Sequence, residues 1–312
     1  MSQSMGPRLL VSRCLGFAPC RYDGRQLQCE LVDALRPHCE ILTICPEVDA
    51  GLQTPRPPMN IHRCAHGAIQ LIQATDQRDL TAQLSEFATT SIPGLDIDGA
   101  FLKAKSPSCG VDSTPHHLPD TTTVRDSGLF ASHLRQYFPW LPLGDEVGLE
   151  DPETRHHFLA RLFCLGRWRH SHQEELPGWL EHFHRRHKYL LMAYDPKRQK
   201  ELGAVVAAAG RHPDASHINA YEYGLRGALQ APVTRGRVIN AIQHMAGYFQ
   251  PSKQEKEAFA TALRAYQSGT VHTEVPLEHL RDWNTRQPNA YIEEQHFLMG
   301  LSAVCRNDSP LP

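Results

Sequence analysis

The 312-residue chain balances 32 Lys and Arg against 34 Asp and Glu, with 41% hydrophobic and 21% charged residues, which excludes a disordered or collagen-like polypeptide. No apolar run approaches the ~20 residues that cross a bilayer, and the run Leu9 to Ser12 is too short for an export signal, so a cytoplasmic protein without membrane attachment is expected. The charge is uneven: residues 1–150 hold 12 basic against 17 acidic side chains, and residues 151–312 hold 20 against 17.

In chain order, Leu9-Leu10-Val11-Ser12 predicts a buried strand, Leu27 to Leu35 a helix, and Glu40 to Ile44 a second strand. Asp79 to Thr90 fits another helix, Gly99 to Lys103 a further strand, and Leu129 to Phe138 a last helix. Strands alternating with helices imply a parallel sheet with right-handed crossovers, a Rossmann-like α/β domain over residues 1–148. At Asp151-Pro152-Glu153 an N-cap, a proline at the first helical position and an early acid open a new texture. Residues 149–312 then read as an all-α domain, with capping-box spacing at Ser252 and Glu255 and a helix stop at Gly269.

Nine cysteines, an odd number without an export signal, argue against a disulfide framework. Cys29, Cys39, Cys164 and Cys305 read as space-filling thiols, and Cys64 and His66 carry no motif. Cys14, Cys45 and Cys109 differ, because each follows a predicted strand and sits among loop formers: Cys14-Leu15-Gly16, Cys45-Pro46-Glu47 and Ser106-Pro107-Ser108-Cys109-Gly110. Ligands of parallel α/β sheets bind at the C-terminal strand edge, so these residues are expected to meet there, with loop N–H groups free to face an anionic group. Spacing alone leaves buried thiols, a zinc site, an iron–sulfur cluster and a catalytic thiol all open, although zinc sites favour close Cys-x-x-Cys pairs and none occurs here.

Three strings narrow the choice. Ser12-Arg13-Cys14-Leu15-Gly16 through Cys20-Arg21-Tyr22-Asp23-Gly24, Cys45-Pro46-Glu47 through Gly51-Leu52-Gln53-Thr54-Pro55-Arg56-Pro57-Pro58, and Lys105 to Gly110 occur in an order that resembles the thiouracil desulfidase family over roughly residues 8 to 147. The resemblance implies a [4Fe-4S] cluster held by Cys14, Cys45 and Cys109 with one iron lacking a protein ligand, and leaves Cys20 a space-filling role. Glu47, held near the cluster by its place two residues after Cys45, and Ser106 are catalytic candidates that activate water and move a proton, as the resemblance also implies, although Glu47 could instead be a loop-stabilising carboxylate; Arg21, Asp23, Lys105 and Ser108 are substrate-binding candidates. Arg21 and Asp23 could equally pair to brace their loop, and Ser106 could be a turn residue before Pro107.

His184-Arg185-Arg186-His187-Lys188-Tyr189-Leu190-Leu191-Met192-Ala193-Tyr194, followed by Lys197-Arg198-Gln199-Lys200, is similar to the helical domain fused to the desulfidase domain in tRNA 4-thiouridine desulfidases. The resemblance implies a tRNA partner, with Arg185, Arg186, Lys188, Lys197, Arg198 and Lys200 on the RNA face and Arg161, Arg167 and Arg169 extending it; a solvated helix face is the plain alternative. The expected reaction is hydrolysis of 4-thiouridine in tRNA to uridine and hydrogen sulfide without net redox, so no nicotinamide or flavin cofactor is expected. The alternatives are a desulfidase of free thiouracil-type bases and a non-catalytic iron–sulfur sensor or RNA-binding protein.

Overall fold

The computed structural model describes residues 6–64, 67–171 and 176–299, so Cys305 and His66 lie outside the described residues. It divides into two compact units, residues 1–158 and 159–312.

The first unit is built on a four-stranded parallel sheet with strand order β2-β1-β5-β8, from β1 (Arg8–Ser12), β2 (Glu40–Ile44), β5 (Gly99–Leu102) and β8 (Leu143–Asp145). β1 pairs along its whole length with β2, Leu10 opposite Leu42, and on its other side with β5, Leu10 opposite Ala100. Leu9, Leu10, Val11 and all of β5 are buried, as an apolar run covered on both faces requires. The connections carry α1 (Glu30–Leu35), α2 (Pro46–Asp49), α3 (Thr81–Ser91) and α4 (Leu129–Tyr137). Leu10, Ala100 and Leu102 share one core with Ala88 and Ile92 near the end of α3 and with Phe130, Ala131 and Leu134 of α4. Helix α1 starts at Glu30, three residues later than the sequence suggests, because Leu27 is instead bridged to Leu15.

A second sheet was not expected from the sequence. Its order is β4-β3-β6-β7, from β3 (Met59–Arg63), β4 (Ile69–Gln73), β6 (Thr114–His117) and β7 (Thr123–Asp126), with β3 and β6 parallel and the outer pairs antiparallel. Met59, Ile61 and Leu71 pack with Leu80, Leu84 and Leu129 in a separate cluster.

Helix α5 (Pro152–Ser171) begins as anticipated, Asp151 accepting from the backbone N–H of Thr154 at 2.8 Å. The mostly helical second unit continues with α6 (Trp179–Tyr194), α7 (Pro196–Ala209), α8 (Ala215–Gln230), α9 (Arg235–Ala246), α10 (Lys253–Ser268), α11 (Glu274–Arg286), α12 (Ala290–Glu293) and α13 (His296–Met299). Its core holds the fully buried Tyr194, Tyr221 and Tyr266, with Trp168 stacked on Tyr221 at 5.1 Å. The Ser252 and Glu255 capping box is formed, and Gly269 ends α10 in the left-handed region at φ 80°.

Candidate metal centre

Strand order brings the three cysteine loops together. β1 is the first strand laid down, β2 lies on one side of it and β5 on the other, so their C-terminal ends flank the point where winding reverses direction. Cys14 leaves β1, Cys45 follows β2 directly, and Cys109 lies in the loop after β5.

The thiols at this edge interact with one another. The Cys45 thiol donates to the Cys20 carbonyl at 3.8 Å, Cys20 is influenced by the thiols of both Cys14 and Cys45, and Cys45 acts electrostatically on Cys109. The pKa of Cys20 is raised, chiefly by its bond to Cys14. Cys45 is raised far above an ordinary thiol by Cys20 and then by burial, and burial pushes Cys109 up to about 12. Cys14, Cys20 and Cys109 are buried and Cys45 is partly so. Cys20, read from the sequence as space-filling, therefore stands among the other three sulfurs.

Side chains, not free N–H groups, organise these loops, which corrects the sequence expectation at two cysteines. The N–H of Cys45 donates to Asp49 at 3.1 Å, and Asp49 also receives a two-pronged bond from Arg13 at 2.8 and 2.9 Å. The N–H of Cys109 and of Ser108 both donate to Ser106 Oγ, at 3.1 and 3.2 Å. The third loop in turn caps α4, since the carbonyls of Pro107 and Ser108 accept from the N–H of Leu129 and Ala131. That approach needs Gly128, where a Cβ would stand 2.6 Å from the backbone of Ser108. Asp145 and Glu146 at the end of β8 hold the same loop: Asp145 accepts from the Val111 N–H and the Ser113 hydroxyl, and Glu146 from Lys103 and the Ala104 N–H.

Glu47, two residues beyond Cys45, is buried against the thiols. Ser108 Oγ donates to its Oε1 at 3.0 Å, and Arg56 grips its Oε2 through Nε at 2.7 Å and Nη2 at 2.5 Å. The remaining Arg56 nitrogen, Nη1, reaches the carbonyl of Cys20, the carbonyl of Gln53 and the hydroxyl of Thr54. Arg56 was not singled out in the sequence, though it lies inside the second string, nine residues after Glu47.

The other candidates are spread more widely. Ser106 and Ser12 hydroxyls hydrogen-bond to the Cys109 thiol. Ser108 is buried beneath Glu47, whereas Lys105 is exposed and has a left-handed backbone at φ 59°. Arg21 and Asp23 do pair, at 3.5 Å, but Arg25 is the nearer partner of Asp23 at 2.6 Å and holds its carboxyl below the usual range. Cys64 stands away in the second sheet, its thiol donating to Gln70. Cys39 and Cys164 are buried and pushed up to about 12, inert as expected. Among the described residues no three Cys, His, Asp or Glu side chains are arranged around a single metal ion. The donor set instead suits a larger, thiolate-held centre: Cys14 raises Cys20, Cys20 raises Cys45 and Cys45 raises Cys109, a crowding of thiols that a cationic iron group would relieve.

Residues 9–146 match the family described as 2-thiouracil desulfurase, and residues 188–300 match a protein family of unknown function, DUF1722. The first domain is 2-thiouracil desulfurase-like. The second is DUF1722-like. Over 136 residues the chain is 29% identical to YbbK, an uncharacterized protein of Bacillus subtilis (strain 168), covering 41% of this chain and 89% of that one. Among solved structures it is similar to a [4Fe-4S]-dependent thiouracil desulfidase, TudS, at 28% identity over 46% of this chain and 94% of that chain, with a TM-score of 0.37.

In the mostly helical second unit, Arg185, Arg186 and Lys188 lie on α6 and Lys197, Arg198 and Lys200 on α7. Arg185 stands 3.7 Å from Glu294 and over the Tyr291 ring, Lys197 is 3.8 Å from Glu201, and Arg198 is 3.3 Å from Asp195. Lys188 lies over Tyr189 at 5.6 Å, and Lys200 is exposed.

Proposed function

We propose that this protein is a [4Fe-4S]-dependent desulfidase that hydrolyses the C4–sulfur bond of 4-thiouridine in tRNA, giving uridine and hydrogen sulfide. The observation that carries the reading is the meeting of Cys14, Cys45 and Cys109 at one sheet edge, beside a buried carboxylate, in a 2-thiouracil desulfurase-like domain. Those three cysteines would hold the cluster. One iron without a protein ligand supplies a Lewis acid with affinity for a thiocarbonyl sulfur.

The chain's own groups then have defined tasks. Glu47 takes a proton from the attacking water, with Oε1 and Oε2 oriented by Ser108 and Arg56. Arg56 fixes the carboxylate and ties it to the Cys20 loop, so the base keeps its distance from the thiols. Ser106, against the Cys109 sulfur, is the second proton carrier, and Lys105, Arg21 and Asp23 are the candidates at the rim. The water oxygen replaces sulfur at C4 and remains as the carbonyl oxygen of uridine, its two protons leave with sulfur as hydrogen sulfide, and no electrons are exchanged. The basic side chains of α6 and α7 support contact with the tRNA phosphates while the thiolated base leaves its stack.

The test is anaerobic purification with iron and sulfide counting, then assay on thiolated tRNA and free thiouracil side by side without an electron donor. Turnover of tRNA supports the proposal; turnover of the free base alone selects a small-base desulfidase. A requirement for a reductant overturns the hydrolytic scheme. Cys14→Ala, Cys45→Ala and Cys109→Ala are each expected to lose iron, and full iron loading in any of them removes that ligand.

A further inference from the structure

Helix α6 turns a histidine inward where an apolar residue is the rule. His187 is 1% exposed, one helical turn after Phe183, on whose ring it stacks at 4.0 Å. Its Nδ1 lies 2.8 Å from the Phe183 carbonyl, which can only accept, so the proton sits on Nδ1 and Nε2 presents a lone pair. Among the described residues that Nε2 has no hydrogen-bond partner. Burial, with Arg167 and other cations near, lowers the pKa of His187 to about 3, so the ring stays neutral.

The surroundings are cationic. His296 of α13 faces His187 with ring centroids 4.5 Å apart, and its Nδ1 also has no partner among the described residues. Arg186 leaves its Nε unpartnered, and Arg167 of α5 makes its aromatic contact on Phe163 at 5.8 Å. Arg167 and Arg186 act on one another and on both histidines, and His182 acts on His296 at the exposed side. Arg167 is so enclosed by protein that burial lowers it to about 10, although part of its side chain reaches solvent. Among the described residues the carboxylate acting on this group is Glu294, which acts on His182 and stands 3.7 Å from the exposed Arg185.

Two guanidinium groups repel any metal cation from the paired imidazoles, whereas an anion removes the cost of enclosing them. The anion must also offer a donor to the His187 lone pair. Sulfate and a phosphodiester have none at neutral pH; hydrogen phosphate and a protonated phosphomonoester carry a P–OH. We propose that the second domain contains a binding site for a terminal phosphate, its oxygens held by Arg167 and Arg186 and its hydroxyl donated to His187, with His296 alongside and His182 at the mouth. Guanidinium forks match phosphate oxygens in geometry. The source is either free inorganic phosphate or the terminal phosphomonoester of an RNA. The site does not depend on the desulfidase reading, and the second source would deepen it.

The experiment is calorimetric titration of the full chain with inorganic phosphate and with sulfate at equal ionic strength. Phosphate is expected to bind at least about tenfold more tightly than sulfate, the worth of one hydrogen bond to a charged group. Arg186→Gln, a partly exposed position, should weaken both anions about tenfold, and His187→Phe should abolish the preference for phosphate. If His187→Phe does not fold, the anion preference of the parent chain and the effect of Arg186→Gln still decide. Equal binding of the two anions, or unchanged phosphate binding in Arg186→Gln, overturns the site. A second arm compares tRNA with and without its 5′-phosphate: tighter binding of the phosphorylated form assigns the RNA end as the source, and equal binding alongside phosphate-selective titration assigns free phosphate. Because this arm reads binding alone, it is independent of desulfidation.

Discussion

Removing the charge of Arg56 is expected to destabilise the first domain more than any other single change at its site. The Arg56 and Glu47 side chains are 6% and 10% exposed and joined by two short bonds, so solvent screens the pair little. Arg56→Met keeps the stem and deletes the counter-charge, leaving a buried carboxylate with Ser108 as its remaining partner among the described residues. Breaking a buried pair in this way costs about 3–5 kcal/mol. At roughly 2–4 °C per kcal/mol for a domain of this size, Tm should drop by roughly 6–20 °C. Glu47→Gln should cost less, because Arg56 retains the carbonyls of Cys20 and Gln53 and the hydroxyl of Thr54. The assay is a double-mutant cycle by urea unfolding with unchanged m-values, with hydrogen exchange of β1 and β2 amides restricting the readout to this domain. A coupling of about 2–3 kcal/mol is expected; additivity within about 0.5 kcal/mol would refute the pairing as an energetic unit.

Cys20→Ala removes the largest influence raising the Cys45 thiol, so in metal-free protein Cys45 should alkylate faster at mildly alkaline pH; an unchanged rate would show that the two sulfurs do not interact. Gly128→Ala drives a Cβ to 2.6–2.8 Å from the backbone of Ser108 and Ser106 and should cost about 1–3 kcal/mol while displacing the Cys109 loop; wild-type stability would show that the loop yields freely. The second domain should weaken in acid. Burial lowers His184 to about 4, His187 to about 3 and His296 further, so below about pH 6.5 the unfolded chain binds protons that the folded domain refuses. Stability should be flat above that point and fall as pH drops toward 4, by up to about 1.4 kcal/mol per unit for each histidine; a flat profile between pH 7 and 5 would contradict their burial as neutral rings.

Legibility in the sequence followed burial. β1 and β5 are enclosed on both faces and read directly as apolar runs, and the cysteines after β1, β2 and β5 could be placed from strand ends alone. β3 was missed because its pattern alternates, Met59 and Ile61 inward and Asn60 and His62 outward, with Pro57 and Pro58 just before it reading as loop. β6 carries Pro115 and two histidines, and β7 is exposed throughout except at Asp126, so neither carries the apolar signal. Arg56 was hidden by a different cause: its partner Glu47 is close in sequence, but only the fold reveals that both are buried and that Arg56 also reaches the Cys20 carbonyl. His187 looked like part of a basic helix face until packing turned it inward, away from Arg185 on the exposed side.

The loops around the thiols are held by contacts that owe nothing to metal. Asp49 joins the Cys14 and Cys45 loops through Arg13, Ser106 takes the N–H of Cys109, and the same turn caps α4 with its carbonyls. This differs in kind from small metal-folded domains, where the ligands are ordered only when the ion arrives and chelation unfolds the chain. Here the ordering entropy is spent by the sheet and by these polar braces. Removal of a cluster bound at this edge is therefore expected to leave β1, β2 and β5 folded, because the Asp49 and Ser106 braces are made by protein groups; loss of amide protection in these strands on chelation would refute this. The same polar bracing extends to Glu47, whose two carboxylate oxygens are fixed by Arg56 and Ser108, so the position proposed for the base is set by protein contacts alone.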